Sequence, residues 1–302
     1  MNVATVRKLK ALLALAALAA AAVLVINVVG CAAVHRGGTS VPRDPDTGIM
    51  QGGGPVRIEG GRPRACLLLH GWLTTPADFG ELPQRLDEAG WDVHAPLQVG
   101  HGTRPADLVG VGADGLLDGA RGHYLDLLAR YDEVALVGFS MGGTMATVLA
   151  AERPPARLVL VNPFCAVRYR WYYVLPPRWW WPVLSPVLRH VWRGRGVHVN
   201  RAEDRARIPT YTAFPASIAD ALFELRRRMR READLDALTM PALLVCSTGD
   251  DVCAVSAADG LFEAMPSADK EKVVFSRSNH HLLHDHDADA AVEAVVRFLG
   301  QE

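Results

Sequence analysis

Residues 134–143 read VALVGFSMGG, an apolar run that ends in a glycine-rich turn around a serine. A run that is apolar throughout is typical of a parallel strand covered on both faces of its sheet. Gly138-x-Ser140-x-Gly142 matches the nucleophile elbow, in which a strand turns sharply into a helix and holds the serine in a strained conformation. A helical pattern follows directly, over 141–152. The stretch therefore predicts a nucleophilic Ser140 at the start of a helix.

Short apolar runs alternate with helical patterns along the rest of the chain. The candidate strands are 65–69, 91–94, 134–139, 158–161, 242–246 and 273–275. The candidate helices are 82–89, 141–152 and 288–299. This alternation predicts an α/β fold with a doubly wound, mostly parallel sheet and helices on both of its faces.

The composition excludes several classes of protein. The 302 residues are 50% hydrophobic, which excludes disorder and allows a large core. With 32 Lys+Arg against 33 Asp+Glu the chain has no overall positive field, so we expect no nucleic-acid partner. The five cysteines form no CxxC pair, and they are too few for a disulfide framework. A hydrophobic core must therefore hold the fold.

The N-terminus carries an export or anchor signal. A basic flank, residues 7–10, precedes the run 11–29, whose one polar member is Asn27. The run is close to the roughly 20 residues that cross a bilayer, so its length does not separate a cleaved signal from a retained helix. Residues 28–31, VVGC, resemble the lipobox of bacterial lipoproteins, which implies cleavage before Cys31 and lipidation of that cysteine. Both alternatives predict an exported protein anchored on the extracytoplasmic side of a membrane.

The chain divides into an anchor, a tether and a folded domain. Residues 1–30 form the anchor or signal, and residues 31–55, rich in Gly, Pro, Ser and charge, predict a flexible tether. The folded domain is expected over 56–302. The stretch between the strand that ends at 161 and the strand that begins at 242 is too long for one connecting helix. It therefore predicts an inserted cap at about 165–235.

Residues 56–302 resemble an α/β-hydrolase of the carboxylesterase and monoacylglycerol lipase group. The resemblance rests on four motifs in that group's order: an apolar strand followed by HGW at 70–72, WDVHAP at 91–96, GHG at 100–102 and GFSMGG at 138–143. It implies the α/β-hydrolase fold, a serine hydrolase that needs no cofactor, an acid after the strand that follows the cap, and a histidine after the last strand.

The resemblance also assigns the acid and the base. Asp250, in the sequence STGDDV, aligns with the acid, and Asp251 is the alternative because a shift by one residue in a loop is easily made. His280, in FSRSNH, matches the base, and His281 is the alternative base. Asn279 replaces the group's glycine, and asparagine is the best replacement if that position needs a left-handed backbone.

Backbone amides complete the predicted site. Acyl transfer needs hydrogen-bond donors where the oxyanion forms, and this fold supplies them just after the nucleophile and after an earlier strand. Met141 and Trp72 occupy those positions. His70 and His101 are expected to support the adjoining loops rather than to catalyse.

The loop 281–287 raises a metal site as an alternative. His284-x-His286 begins like the motif of metallo-β-lactamases, but Ala288 and Asp289 replace its Asp-His pair. We therefore expect no metal.

The predicted cap is rich in aromatic and arginine residues. It holds Trp171, Trp179, Trp180, Trp181, Trp192, Tyr169, Tyr172 and Tyr173, interleaved with Arg168, Arg170, Arg178, Arg189, Arg193 and Arg195. Such a mixture suits a bilayer interface, an acyl pocket or the cap's own core. The sequence thus predicts a membrane-tethered serine hydrolase that cleaves carboxylic esters, monoacylglycerols or similar lipid-like esters, through an acyl-enzyme. The alternatives are a thioesterase, peptidase or acyltransferase of this fold, and a non-catalytic lipid-binding protein.

Overall fold

The computed structural model describes residues 3–170, 176–194 and 196–301. The predicted cap residues Trp171, Tyr172, Tyr173 and Arg195 lie outside the described residues, and so does the side chain of Arg178.

The elements alternate as the sequence predicts. The strands are β1 (Val56–Ile58), β2 (Arg64–Leu69), β3 (Asp92–Ala95), β4 (Glu133–Phe139), β5 (Arg157–Val161), β6 (His190–Trp192), β7 (Ala213–Pro215), β8 (Ala242–Ser247) and β9 (Lys270–Phe275). The helices are α1 (Val3–His35), α2 (Leu82–Glu88), α3 (Ala113–Arg130), α4 (Met141–Glu152), α5 (Pro177–Leu184), α6 (Ser217–Arg231), α7 (Val255–Ala264) and α8 (Ala288–Leu299).

Seven strands of the described residues form the central sheet, in the order β1-β3-β2-β4-β5-β8-β9. All neighbours pair in parallel except β1, which is antiparallel to β3. The order reverses between β2 and β4, so the loops after these two strands diverge and leave a crevice at their carboxyl ends. Ser140 follows β4 and Trp72 follows β2 at this crevice.

The sheet is buried on both faces, which explains why its strands are apolar throughout. In β2, Leu67 and Leu69 belong to one core cluster, with residues of α3, α4, α6 and α7, whereas Cys66 and Leu68 belong to the other, with residues of α2 and α8. Successive side chains of a strand point to opposite faces, so both sets must be apolar. The predicted doubly wound α/β fold is confirmed.

The cap segment is the chain between β5 and β8. It contains α5, the antiparallel pair β6 and β7, and α6. The apolar face of α6, which includes Ile218, Leu225 and Met229, is buried against the sheet domain. The cap segment therefore packs on the domain through an amphipathic helix.

Residues 38–50 differ from the flexible tether that the sequence predicts. The amide of Ser40 donates to the carbonyl of Thr210, and the amide of Met50 donates to the carbonyl of Gly102. The Met50 side chain is 1% exposed. The segment pairs with the domain through its backbone, and Met50 and the partly buried Val41 pack against the core, although the sequence shows no apolar period there.

Helix α1 runs without a break through Cys31 to His35. Its apolar part is exposed, and it is the one helix of the described residues that is long and apolar enough to cross a membrane. A cleaved signal sequence passes the same test of length and composition.

Candidate active site

The turn at Ser140 has the geometry of a nucleophile elbow. Ser140 has φ 53° and ψ −117°, a conformation that residues with a side chain rarely adopt. Glycines make the turn possible, because a Cβ atom on Gly142 would overlap the carbonyl oxygen of Leu69 and one on Gly138 would overlap the backbone of Gly142. Ser140 lies at the N-terminus of α4, where the helix dipole favours developing negative charge. The local sequence thus holds the Oγ atom at the crevice.

The structure brings Ser140, His280 and Asp250 together. The Nε2 atom of His280 lies 2.9 Å from the Oγ atom of Ser140, and its Nδ1 atom lies 2.7 Å from Oδ2 of Asp250. All three side chains are buried. A neutral histidine that donates through Nδ1 to the carboxylate presents Nε2 to the hydroxyl as an acceptor, which is the arrangement of a general base.

The two adjacent carboxylates of the acid loop point in different directions. Oδ1 of Asp250 accepts hydrogen bonds from the amides of Val252 and Cys253, each 2.8 Å long, which leaves Oδ2 aimed at His280. Asp251 instead lies 2.6 Å from Nδ1 of His198. The geometry therefore favours Asp250 over Asp251 as the partner of His280.

Backbone hydrogen bonds fix the loop that carries His280. Oδ1 of Asn279 accepts from the amides of His280 and Asp251, at 2.7 and 3.1 Å. Asn279 is not among the described residues with positive φ, so this position does not need the left-handed backbone for which asparagine would replace glycine. Asparagine serves there as a side-chain acceptor that ties the base loop to the acid loop.

Sequence reasoning missed Asn162, which joins the ends of three strands. Asn162 follows β5, has φ 40°, and donates from Nδ2 to the carbonyl of His280 at 2.8 Å. Its Oδ1 atom accepts from the amide of Ser247 at 2.9 Å. A polar residue directly after an apolar strand was the available signal, since such positions lie at the catalytic edge of this sheet.

Met141 follows Ser140 directly in the chain, and Trp72 lines the same cavity as Ser140. Neither residue's amide donates a hydrogen bond to another of the described residues. The Trp72 indole donates to the carbonyl of Ile218 and packs edge-on against Phe214, so this side chain forms part of the pocket wall while its amide stays free. Two unpartnered amides near a nucleophile are what an oxyanion site requires.

Asp78 is a second residue that sequence reasoning missed. Its Oδ2 atom accepts from the amide of Gly71 at 2.8 Å and from the hydroxyl of Thr74, which fixes the loop that carries Trp72. Its Oδ1 atom has no hydrogen-bond partner among the described residues and lies 3.9 Å from Nε2 of His281. Burial raises the pKa of Asp78 to about 7, and this effect outweighs the hydrogen bonds from Thr74 and Gly71 and the charges of His280 and Arg193, which act to lower it.

His70 and His101 support loops, as expected. Nε2 of His70 accepts from the amide of Gln98, and Nδ1 therefore donates to the carbonyl of Gly71. Burial, with His101 nearby, lowers the pKa of His70 to about 3. Burial lowers the pKa of His101 to about 4. Both imidazoles are therefore neutral, and they stabilise the loops after β2 and β3 through hydrogen bonds.

A cavity of about 370 Å³ opens above Ser140 and His280. Its walls are mostly apolar and come from the sheet domain and the cap segment alike: Trp72, Phe164, Trp180, Trp181, Phe214 and Phe223. Trp179, in contrast, is 64% exposed. The volume lies in the range of small-molecule sites, about 300–1,000 Å³.

The loop 281–287 uses its polar groups for hydrogen bonds within the protein. His284 Nε2 lies 2.6 Å from the carbonyl of Ala77, and the Asp285 carboxylate accepts from the amides of Asn200, Arg201, Asn279 and His286. His281, the alternative base, is buried beside His280, and burial holds its pKa well below the usual value. These contacts leave His280 as the histidine at the nucleophile.

The cysteines do not form disulfides among the described residues. Cys165 and Cys253 are buried free thiols, and burial raises the pKa of Cys165 to about 12. Cys31 is partly exposed near the end of α1. Its lipidation stays a prediction.

Comparisons with known proteins agree with this geometry. The family model described as serine aminopeptidase, S33, matches residues 61–287. A carboxylesterase of Bacillus subtilis (strain 168) is 25% identical over 246 residues, which cover 81% of this chain and 95% of the relative. A thermostable monoacylglycerol lipase of Bacillus sp. (strain H-257) is 25% identical over 260 residues, which cover 84% of this chain and 96% of the relative.

Solved structures show the same fold. A metagenome-derived lipolytic enzyme superposes with a TM-score of 0.74 at 21% identity, over 83% of this chain and 98% of that one. The monoacylglycerol lipase of Paleococcus ferrophilus superposes with a TM-score of 0.66 at 19% identity, over 82% of this chain and 97% of that one. Because the matched family model spans most of the folded domain, the chain belongs to the serine aminopeptidase S33 family and is an α/β-hydrolase enzyme of the carboxylesterase and lipase type.

Proposed function

We propose that the protein hydrolyses lipid-like carboxylic esters, such as monoacylglycerols, through an acyl-enzyme on Ser140. The observation that carries the proposal is the chain of contacts from Ser140 Oγ to His280 Nε2 and from His280 Nδ1 to Asp250. This arrangement can remove a proton from the serine hydroxyl and stabilise the imidazolium that results.

Each residue of the site has one step to perform. His280 accepts the proton of Ser140 as Oγ attacks the ester carbonyl, and the amides of Trp72 and Met141 donate to the oxyanion. His280 then returns the proton to the departing alcohol. In deacylation, His280 takes a proton from the water that attacks the acyl-enzyme, and it returns this proton to Ser140 Oγ as the bond to the acyl group breaks and the acid departs. Asp250 holds the imidazole in the required tautomer throughout.

The cavity supports an acyl chain as the group that is recognised. Apolar side chains form most of its wall, and an alkyl chain that enters it leaves water, which is worth about 0.8 kcal/mol per methylene. The names of the relatives, carboxylesterase and monoacylglycerol lipase, describe substrates of the same kind. The apolar helix α1 supports a tether to the membrane in which such esters dissolve.

A fluorophosphonate probe tests the nucleophile. We expect stoichiometric labelling of the wild-type protein and of Ser217→Ala, which changes an exposed serine, and no labelling of Ser140→Ala. Ser140→Ala should remain folded, because its side chain contributes chemistry rather than packing. Labelling of Ser140→Ala would refute the assignment.

Substrate series separate the candidate reactions. We expect hydrolysis of monoacylglycerols and p-nitrophenyl esters, and at least 100-fold lower kcat/KM on amino-acid p-nitroanilides, matched thioesters and acyl transfer to added alcohols. Higher kcat/KM on an anilide or a thioester would make the protein a peptidase or a thioesterase. Binding of lipid without turnover of any of these substrates would make it a non-catalytic lipid-binding protein.

A further inference from the structure

The outer end of α1 contacts the cap segment through one side chain that satisfies two backbone groups. Nδ2 of Asn27 donates to the carbonyl of Val187 at 2.9 Å, and the amide of Arg189 donates to Oδ1 of Asn27 at 2.7 Å. Asn27 is the one polar residue of the run 11–29. A polar side chain in an apolar membrane segment is costly unless it is paired, and here the cap backbone supplies both partners.

The next helical turn fits the cap closely. Gly30 is buried, and a Cβ atom on it would overlap the carbonyl oxygen of His190. The Sγ atom of Cys31 lies 3.5 Å from Nδ1 of His190. We name these contacts, of Asn27, Gly30 and Cys31 with residues 187–190, the clasp.

The chain after α1 leaves no free linker between the helix and the cap. The carbonyl of Gly38 accepts from the amide of Thr212, and the amide of Ser40 donates to the carbonyl of Thr210, so this segment runs along the stretch that leads into β7. A helix that is held at its end and immediately after it cannot swing relative to the domain.

The clasp lies at one end of the candidate membrane span. At 1.5 Å per residue the run 11–29 covers about 28 Å, close to the roughly 30 Å of a hydrocarbon core. The basic flank 7–10 lies at the opposite end, which the positive-inside rule places in the cytoplasm. The clasp is therefore at the extracytoplasmic surface.

An exposed apolar stripe precedes the clasp along the chain. Trp179, Val183 and Val187 are spaced four residues apart and are 64%, 73% and 52% exposed. Trp180 and Trp181, on the same helix, line the cavity. Tryptophan at the rim of an apolar stripe is typical of a membrane interface.

We propose that α1 is retained after export and that the clasp fixes the cap segment on the outer leaflet, with the stripe 179–187 in the headgroup layer and the cavity directly behind it. The proposal deepens the proposed function, since it rests on a membrane-tethered ester hydrolase. It contradicts processing at the lipobox, because cleavage before Cys31 removes Asn27 and Gly30.

A disulfide between two positions of the clasp tests its geometry. In the full-length His190→Cys variant in membranes, treated with diamide as the oxidant, we expect a disulfide between Cys31 and the introduced cysteine in the peptide mass spectrum. Cys31 is the one partly exposed cysteine of the described residues; the other four are buried. Val183→Cys is the control on the exposed stripe, and we expect no link to Cys31. The absence of the disulfide in His190→Cys, or a mature chain that begins with a lipidated Cys31, would overturn the proposal.

A second pair of variants tests what the clasp does. Gly30→Leu should lower hydrolysis of long-chain monoacylglycerol in vesicles about tenfold and leave hydrolysis of p-nitrophenyl acetate unchanged. Ala20→Leu, a change on the exposed apolar surface of α1, should alter neither rate. Equal rates of Gly30→Leu and wild type on vesicles would refute the positioning role. A wild type that hydrolyses no ester would refute the proposed function instead, and the disulfide would still report on the clasp.

Discussion

Asp78→Asn should remove a pH-dependent loss of stability from the protein. The wild-type carboxyl is buried, with Gly71 and Thr74 donating to one oxygen and no partner for the other among the described residues. An asparagine oxygen can accept the same two hydrogen bonds, and its amide cannot ionise. The substitution therefore keeps the support of the oxyanion loop while it removes the titration.

The size of the effect follows from linkage. Burial raises the pKa of Asp78 from its usual 3.8 to about 7. Below the lower value the carboxyl is neutral in both states, and between the two values the unfolded chain loses the proton while the folded protein keeps it. The free energy of unfolding then falls by about 1.4 kcal/mol per pH unit. From pH 5 to pH 7 the loss is about 3 kcal/mol, and above pH 7 it no longer grows.

Urea denaturation of the full-length protein in detergent, followed by tryptophan fluorescence between pH 5 and pH 8, measures this loss. The quantity to compare is the difference in free energy of unfolding between wild type and variant, because other groups that titrate contribute to both. We expect Asp78→Asn to gain about 3 kcal/mol relative to wild type over this range, and Asp46→Asn, a change at an exposed carboxyl, to gain nothing. Parallel profiles of wild type and Asp78→Asn would show that the folded carboxyl is ionised and would refute the reasoning.

Two further predictions concern the site. Asp250→Asn should lower kcat on a p-nitrophenyl ester about 10⁴-fold, as loss of the orienting acid does in serine proteases. Asp251→Asn should lower kcat less than tenfold, because the partner of Asp251 is His198. If Asp251→Asn has the larger effect, Asp251 is the acid of the site. For chain length, wild type should gain about fourfold in kcat/KM per added methylene until the cavity is filled. Trp180→Ala should move the optimal acyl length to longer chains. Trp179→Ala should leave that optimum unchanged on soluble esters. An unchanged optimum in Trp180→Ala would show that Trp180 contributes only to packing.

The fold was predictable because its signals are local. A strand buried on both faces must be apolar throughout, and a helix that packs on it must carry apolar residues at helical spacing, so β4 and α4 are visible without any neighbour. The elbow at Ser140 is local as well, since the glycines that permit its φ lie two residues on either side.

The supports of the site were not predictable in the same way. Asn162 and His280 are 118 positions apart in the chain, and Asp78 acts through a backbone amide that every residue type except proline possesses. Such hydrogen bonds leave no periodic pattern. The role of Asn279 was hidden in the same way: its side-chain oxygen accepts from two backbone amides, one of them 28 positions away in the chain.

The burial of Met50 sets where the protein can be shortened. A chain that starts at residue 56, as the composition of the preceding segment invites, would lose a methionine from the core, and truncating a buried methionine to alanine alone costs about 2–5 kcal/mol. It would also leave the carbonyls of Gly102 and Thr210 without the amides that now reach them. Shortened versions made for crystallisation or assay should therefore begin between His35 and Gly38. Such versions lack the apolar helix α1 and keep residues 38–50, whose backbone pairs with the domain.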